Sequence, residues 1–306
     1  MYPSHAAPPV SATALLNAVV DYAGLFPPAA LDMAAAVAEY AAGLAGPDAW
    51  MLGRFVVTAE QLPALARERR RLVTTTALWK VSAIVRDGSD ADAVAIEAFN
   101  AEAGLVATVD AVECRPRVID GIDWLADRLP PSFETYVEVG PAEDAPAWMA
   151  RIGARGLRAK IRTGGVVADA FPSPSSIVAF IAAAVSARVS FKATAGLHHA
   201  VRGAYRLTYE DHAPAALMYG YLNILLATAA LESGAPAAVA ERLLVRDDIA
   251  SLTFDHDAIR WGGTEFSNTL LTRTRRQWMA GFGSCSFSEP AGELREILHG
   301  TVSARR

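Results

Sequence analysis

Short apolar runs and helical stretches take turns along this chain, and eight extended runs stand out among them. They are Asp21–Phe26, Trp50–Val57, Leu78–Val85, Ala107–Cys114, Phe133–Val139, Leu157–Arg162, Val189–Ala195 and Gly281–Phe287. A helix over Ser11–Val20, with Ser11 as its cap, precedes the first run. Helical stretches then fill the gaps at Leu31–Leu44, 59–71, Asp90–Ala103, Ile119–Leu129, Ala145–Ala154 and Ser173–Ala187, and Glu289–Leu298 follows the last run. Thr58 with Gln61 has the spacing of a capping box, and Ser173 before Pro174 is a second helix start. Strict alternation of this kind implies a parallel sheet with right-handed crossovers, and eight units favour closure. The expected fold is therefore α/β, a (β/α)8 TIM barrel in one domain over 1–306. An open doubly wound sheet is the alternative, but no GxGxxG turn follows the first strand. Residues 1–10 read as a flexible N-terminus. Residues 245–280 read as an insertion before the last strand, with a hairpin or irregular piece at Ser251–Gly263 and a helix at Thr269–Met279.

Composition limits the function classes. With 52% hydrophobic and 20% charged residues the chain can bury a sizeable core, which a disordered chain cannot. A formal net charge of −5 argues against a general nucleic-acid binder. The two cysteines, Cys114 and Cys285, lie far apart without CxxC spacing, so reduced thiols in a cytoplasmic protein are expected. Met1–Pro9 lacks the basic-then-apolar pattern of a signal peptide. Pro214–Leu231 is nearly long enough to span a bilayer. It contains Tyr219, Tyr221, Asn223 and Thr228, however, and is flanked by Asp211, His212 and Glu232. A helix buried within the chain or at a homo-oligomer interface is expected there, and no membrane partner.

Active sites of such barrels lie at the C-terminal ends of the strands. Residues two apart on a strand share a face, so Glu134, Tyr136 and Glu138 point together, as do Lys160 with Arg162 and Lys192 with Thr194. The alternate residues on these strands are mostly apolar and suit packing against helices, which turns the polar set into the barrel. A lone charge at a strand end usually reaches solvent. Arg54, Lys80, Glu113, Glu138, Lys160, Arg162 and Lys192 together are better read as a functional interior. Lys160 and Lys192 lie on neighbouring strands, where a nearby cation and burial both lower a lysine pKa. A neutral lysine adds to a carbonyl to give a Schiff base, and Glu138 is placed to move protons.

The runs Ala159–Lys160–Ile161–Arg162–Thr163–Gly164–Gly165 and Phe191–Lys192–Ala193–Thr194–Ala195–Gly196 resemble the strand-six and strand-seven lysine motifs of class I aldolases of the deoxyribose-phosphate aldolase type. The resemblance covers these two motifs. It implies a TIM barrel lyase in which Lys160 forms the Schiff base and Lys192 lowers its pKa.

Small residues after the late strands, at Gly164–Gly165, Gly196 and Ser284–Cys285, let a backbone approach an anion, or simply make tight turns. Arg202 adds a nearby charge. His198 and His199, with Glu113, Glu138, Asp21 or His256, are a conceivable metal set, although no HExxH or HxH spacing is present. A neutral histidine acting as general acid or base is an equal reading. Cys285 is a nucleophile only if its thiolate is stabilised; a packing role is the commoner one.

The expected function is an enzyme acting on a small anionic carbonyl substrate, a Schiff-base lyase. Its catalytic residues would be Lys160, Lys192, Glu138, Glu113 and Asp21. Substrate would be bound by Arg54, Lys80, Arg162, His198, His199, Arg202, Gly196, Ser284 and Cys285, with no cofactor and no metal. The rivals are a metal-assisted or acid–base isomerase or hydrolase using His198, His199, Glu113 and Glu138, and a non-catalytic ligand-binding barrel. In the last, the buried charges form a closed network with Lys160 paired to Glu138 and no open pocket.

Overall fold

Alternation of apolar and polar residues commits each extended run to two different surroundings at once, a helical layer outside and a polar interior within. A computed structural model describes residues 7–72, 78–86, 90–104, 106–140 and 143–300. Eight parallel strands close into a barrel: β1 Val20–Tyr22, β2 Leu52–Thr58, β3 Trp79–Val85, β4 Ala107–Cys114, β5 Glu134–Val139, β6 Arg158–Arg162, β7 Phe191–Thr194 and β8 Met279–Ser284. Neighbours in sequence are neighbours in the barrel, and β8 pairs with β1 to close it, with Asp21 opposite Gly283. The chain is a (β/α)8 barrel, the closed arrangement that eight alternating units favoured over an open doubly wound sheet.

The outward faces carry the core. Phe55, Val57, Trp79, Val81, Val137, Ala159, Phe191 and Phe282 are buried against the surrounding helices. Outside β1–β3, Tyr22, Tyr40, Phe55 and Trp79 form an aromatic cluster, with Tyr40 and Trp79 edge-on at 4.6 Å. Burying each such ring contributes roughly 1.5–3 kcal/mol. β1 is only three residues long and fits because Gly53 stands beside it: a Cβ there would come within 2.6 Å of Asp21 Oδ1.

Several local expectations need correction. The first helix is Val10–Leu16, capped at Pro9, with Ser11 buried inside it and making no cap; Val20 already belongs to β1. The expected flexible stretch 1–10 thus ends in helix, and residues 1–6 lie outside the described residues. Thr58 and Gln61 form no capping box: the Thr58 hydroxyl donates to Gln61 Oε1 at 3.1 Å, and the helix starts at Leu62 after a single 3-10 turn. Ser173 does cap its helix, accepting from Ser176 N–H.

Pro214–Leu231 is not one helix. Ala215–Met218 pairs with Gly203–Arg206 as an antiparallel hairpin, and only Tyr221–Glu232 is helical. Ten residues of that helix are buried, all round its circumference. It lies among Pro174–Ala187, Ala237–Val245 and β8, so its apolar character is met within the chain. The insertion before β8 holds a small three-stranded antiparallel sheet, Thr253–Phe254, Ala258–Trp261 and Thr264–Ser267. A helix at Asn268–Arg273 then runs into a π-turn at Thr274–Trp278. β8 begins at Met279, two residues earlier than expected, so Cys285 stands just beyond it.

Candidate functional site

The interior of the barrel divides into two charged layers, and the division follows from position along each strand. Near the strand starts, the Arg54 guanidinium meets Asp110 at 2.6 and 3.1 Å and Glu134 at 3.0 Å. Arg158 meets Glu134 at 3.0 Å, and the exposed Lys80 lies 3.8 Å from Asp110. Arg54 and Lys80 do not take the substrate-binding place expected of them: Arg54 belongs to this network at the N-terminal mouth, Lys80 lies at its exposed edge, and neither lines the cavity at the other mouth.

Asp110 and Glu113 both face inward although they are three residues apart. The reason is a register shift in β4, where Val81 pairs with Val109 but Ser82 pairs with Ala111. One extra residue reverses the alternation beyond it. This brings Glu113 to the centre of the second layer, toward the C-terminal mouth.

All five residues expected to be catalytic converge there. Lys160 Nζ lies 3.1 Å from Glu113 Oε2 and 2.7 Å from Glu138 Oε2. Lys192 Nζ lies 2.8 Å from Asp21 Oδ2 and contacts Glu113 Oε1. The two lysines are direct cross-strand partners on β6 and β7, and Glu113 bridges them, one oxygen to each. Ser82 donates a further hydrogen bond to Glu113 at 2.8 Å. Lys192 also lies 4.9 Å from the centre of the Tyr136 ring, on its face. Asp21 Oδ1 accepts the Arg54 backbone N–H at 2.9 Å, and the Tyr136 hydroxyl donates to Glu134 at 2.9 Å. Asp21 and Tyr136 therefore form the floor between the two layers.

The electrostatics of Lys192 differ from the expectation that neighbouring lysines depress one another. Burial would lower its pKa, but the Asp21 and Glu113 carboxylates outweigh burial and hold it above the ordinary lysine range. Burial would likewise raise Glu113, and the two ammonium groups override that, holding its carboxyl far below the ordinary value. Lys192 is thus a fixed cation and Glu113 a fixed anion.

Above this layer opens a cavity of about 260 Å³. Lys160, Lys192 and Glu113 reach it from below, and Arg162, Thr194, Gly196, His198 and Cys285 line its sides. The loops after β6 and β7 are tied together, with the Thr163 hydroxyl donating to Ala195 C=O at 2.9 Å. Ala195 and Gly196 both take left-handed backbone, at φ 65° and 75°. Gly196 tolerates this freely and also leaves room for Phe171, which a Cβ there would approach to 3.0 Å. Arg162 has no carboxylate partner among the described residues, unlike Arg54, Lys160 and Lys192.

At the rim, His198 Nδ1 lies 3.3 Å from Ser284 Oγ and 3.5 Å from Cys285 Sγ. Burial, with a smaller contribution from His199, pushes the His198 imidazole down to about 4, so it is neutral at pH 7. Burial also raises the Cys285 thiol to about 11, which leaves it protonated and removes it as a nucleophile at neutral pH. Tyr209, from the loop of the 203–218 hairpin, reaches across with its hydroxyl 3.6 Å from Cys285 Sγ and 2.9 Å from Glu289 Oε2.

His199, Arg202 and Ser284, also expected to bind substrate, do not line the cavity. The His199 ring stacks on Tyr205 at 3.4 Å, and its Nδ1 lies 2.7 Å from Glu293. The Arg202 backbone N–H donates to Asn223 Oδ1, and its guanidinium turns toward Val245 C=O. Among the described residues no three of His, Cys, Asp and Glu are arranged to hold a metal ion. The two histidine rings diverge, 6.5 Å apart, and Glu113 is taken up by the two lysines.

Sequence reasoning missed Asp110, Glu289 and Glu293. The β4 bulge concealed the first. The other two had a readable signal: their i,i+4 spacing puts both carboxylates on one face of the helix Ser288–His299, which abuts the histidine pair. Neither a protein-family model nor a curated protein matches the sequence.

Proposed function

We propose that this barrel is a lyase acting through a Schiff base on Lys160, with a small anionic carbonyl compound as substrate. The observation that carries the reading is the position of the Lys160 amine, at the foot of an open cavity and within 2.7 Å of a carboxylate able to take its proton. In this reading Glu138 accepts a proton from the Lys160 ammonium, and the freed amine adds to the substrate carbonyl. The carbinolamine loses water as Glu138 returns the proton, and the resulting iminium withdraws electrons from the adjacent carbon–carbon bond.

Lys192 stays protonated between Asp21 and Glu113 and lies beside Lys160 as its cross-strand partner, a fixed cation next to the reacting amine. Arg162, a cation at the cavity wall without a carboxylate partner among the described residues, receives the anionic group of the substrate. The open cavity favours this reading over a closed ion network of purely structural value.

The test is intact-mass analysis after borohydride reduction with a panel of small aldehydes and keto acids. One reduced adduct is expected on the native protein and on Lys192→Ala at a lower rate, and none on Lys160→Ala. No adduct with any carbonyl compound, or an adduct that persists in Lys160→Ala, would sink the proposal.

A further inference from the structure

The cavity is chemically two-sided, and that asymmetry bears on what part of a substrate lies where. Its β1–β3 side is formed by Ala23, Phe26, Pro27, Pro28, Val56 and Ile84, none of which has a polar side-chain atom. The backbone there adds little. Ala23 N–H is spent on Ser284 C=O at 2.7 Å, Phe26 N–H on Ala23 C=O at 2.9 Å, and the two prolines have no N–H. Val56 and Ile84 sit within paired strands. The opposite side carries Lys160, Arg162, Lys192, Thr194 and His198.

A hydroxyl pressed against the first wall would meet no polar side-chain atom and no free Ala23 or Phe26 N–H, and a hydroxyl that loses water without a hydrogen bond costs on the order of 1–3 kcal/mol. A hydrocarbon group there would gain by leaving water. The volume, near the lower end of the roughly 300–1,000 Å³ of drug-sized sites, suits a compact molecule.

From this we infer that the ligand is an anionic carbonyl compound with an apolar branched or aromatic substituent, such as a 2-keto acid with a hydrocarbon tail, and not a polyhydroxylated sugar phosphate. The anionic end meets Arg162 and the tail lies on the Val56–Ile84 wall. The inference rests on the proposed use of this cavity as the substrate site, but binding to the wall does not require a Schiff base, so the two can fail separately.

The experiment is isothermal titration of the full-length protein with four anionic probes: 4-methylpentanoate, acetate, glycerol 3-phosphate and 4-methyl-2-oxopentanoate. The expected result is that 4-methylpentanoate binds at least about tenfold tighter than acetate or glycerol 3-phosphate. Val56→Thr, which replaces a methyl with a hydroxyl at nearly the same shape, should lower that preference several-fold, with a cooperative melt confirming that the variant is folded. Arg162→Ala should weaken all four anions. Equal or tighter binding of glycerol 3-phosphate overturns the inference, as does a tail preference indifferent to Val56→Thr, or no binding of 4-methylpentanoate. If 4-methylpentanoate binds as expected but borohydride traps nothing with 4-methyl-2-oxopentanoate, the apolar-tail inference stands and the Schiff-base reading falls. If borohydride traps an adduct on Lys160 but no tail preference is measured, the Schiff-base reading stands and the apolar-tail inference falls.

Discussion

At the N-terminal mouth of the barrel, Arg54, Asp110, Glu134 and Arg158 close on one another; at the C-terminal mouth, Asp21, Glu113, Glu138, Lys160 and Lys192 also pair, but beside a cavity. Both sets arise from inward positions on the same strands. They differ in chemistry as well as in place. The lower layer uses arginines, whose planar forks satisfy two carboxylates at once and give up no proton at neutral pH. The upper layer uses lysines, single points of charge whose protonation responds to surroundings. Charged residues facing into a barrel therefore do not by themselves mark a site. Their height along the strand and the room above them do.

The sharpest way to test this contrast is Glu113→Gln. It leaves two buried ammonium groups without their shared counter-charge, and a cost of about 3–5 kcal/mol is expected in chemical denaturation, together with loss of borohydride trapping. The same variant has a pH signature. A carboxyl held below its ordinary value of 4.5 contributes stability that is present above that pH and lost as pH falls below it. The acid limb of the stability curve should therefore be shallower in Glu113→Gln than in the native protein below about pH 4.5.

His198 offers a second lever on the upper mouth. Its imidazole falls from 6.5 to about 4 on folding, so the unfolded chain takes up the proton first as pH drops. Stability is expected to decline between those two values by up to about 3 kcal/mol, and His198→Gln should remove that decline in melts taken across the same range.

Asp110→Asn probes the lower mouth. Arg54 keeps Glu134, so a cost of about 1–2 kcal/mol is expected, with adduct formation at Lys160 unchanged. A loss of trapping comparable to that in Glu113→Gln would erase the distinction between the two layers. The smallest effect is expected from Lys80→Ala. That side chain is 67% exposed and 3.8 Å from its nearest carboxylate, so its removal should shift stability by no more than about 0.5 kcal/mol and leave anion binding unaltered.

Much of this arrangement was legible in the residues. Alternation on β5, β6 and β7 correctly turned Glu138, Lys160, Arg162 and Lys192 inward, because a period of two admits no other outcome in an unbroken strand. It failed where the strand is broken, at the β4 bulge that hides Asp110. It also failed to separate the two mouths, because a strand's polar face is the same face along its whole length. Arg54 therefore looked as suited to a substrate as Arg162. The pair His198 and His199 shows a different limit. Adjacent side chains diverge, but which one meets the cavity depends on Glu293 and Tyr205, which come from distant elements.

The order of the elements, the closure into eight parallel strands and the two lysines side by side follow from local pattern: hydrophobic period, chain connectivity and strand adjacency are all written along the chain. Tertiary structure alone decided that Glu113 bridges both lysines, that Lys192 is held charged, that Cys285 stays protonated, and that one wall of the cavity is hydrocarbon. Each of these depends on distances between residues far apart in sequence and on how much water reaches them, and neither quantity can be read from the order of the residues.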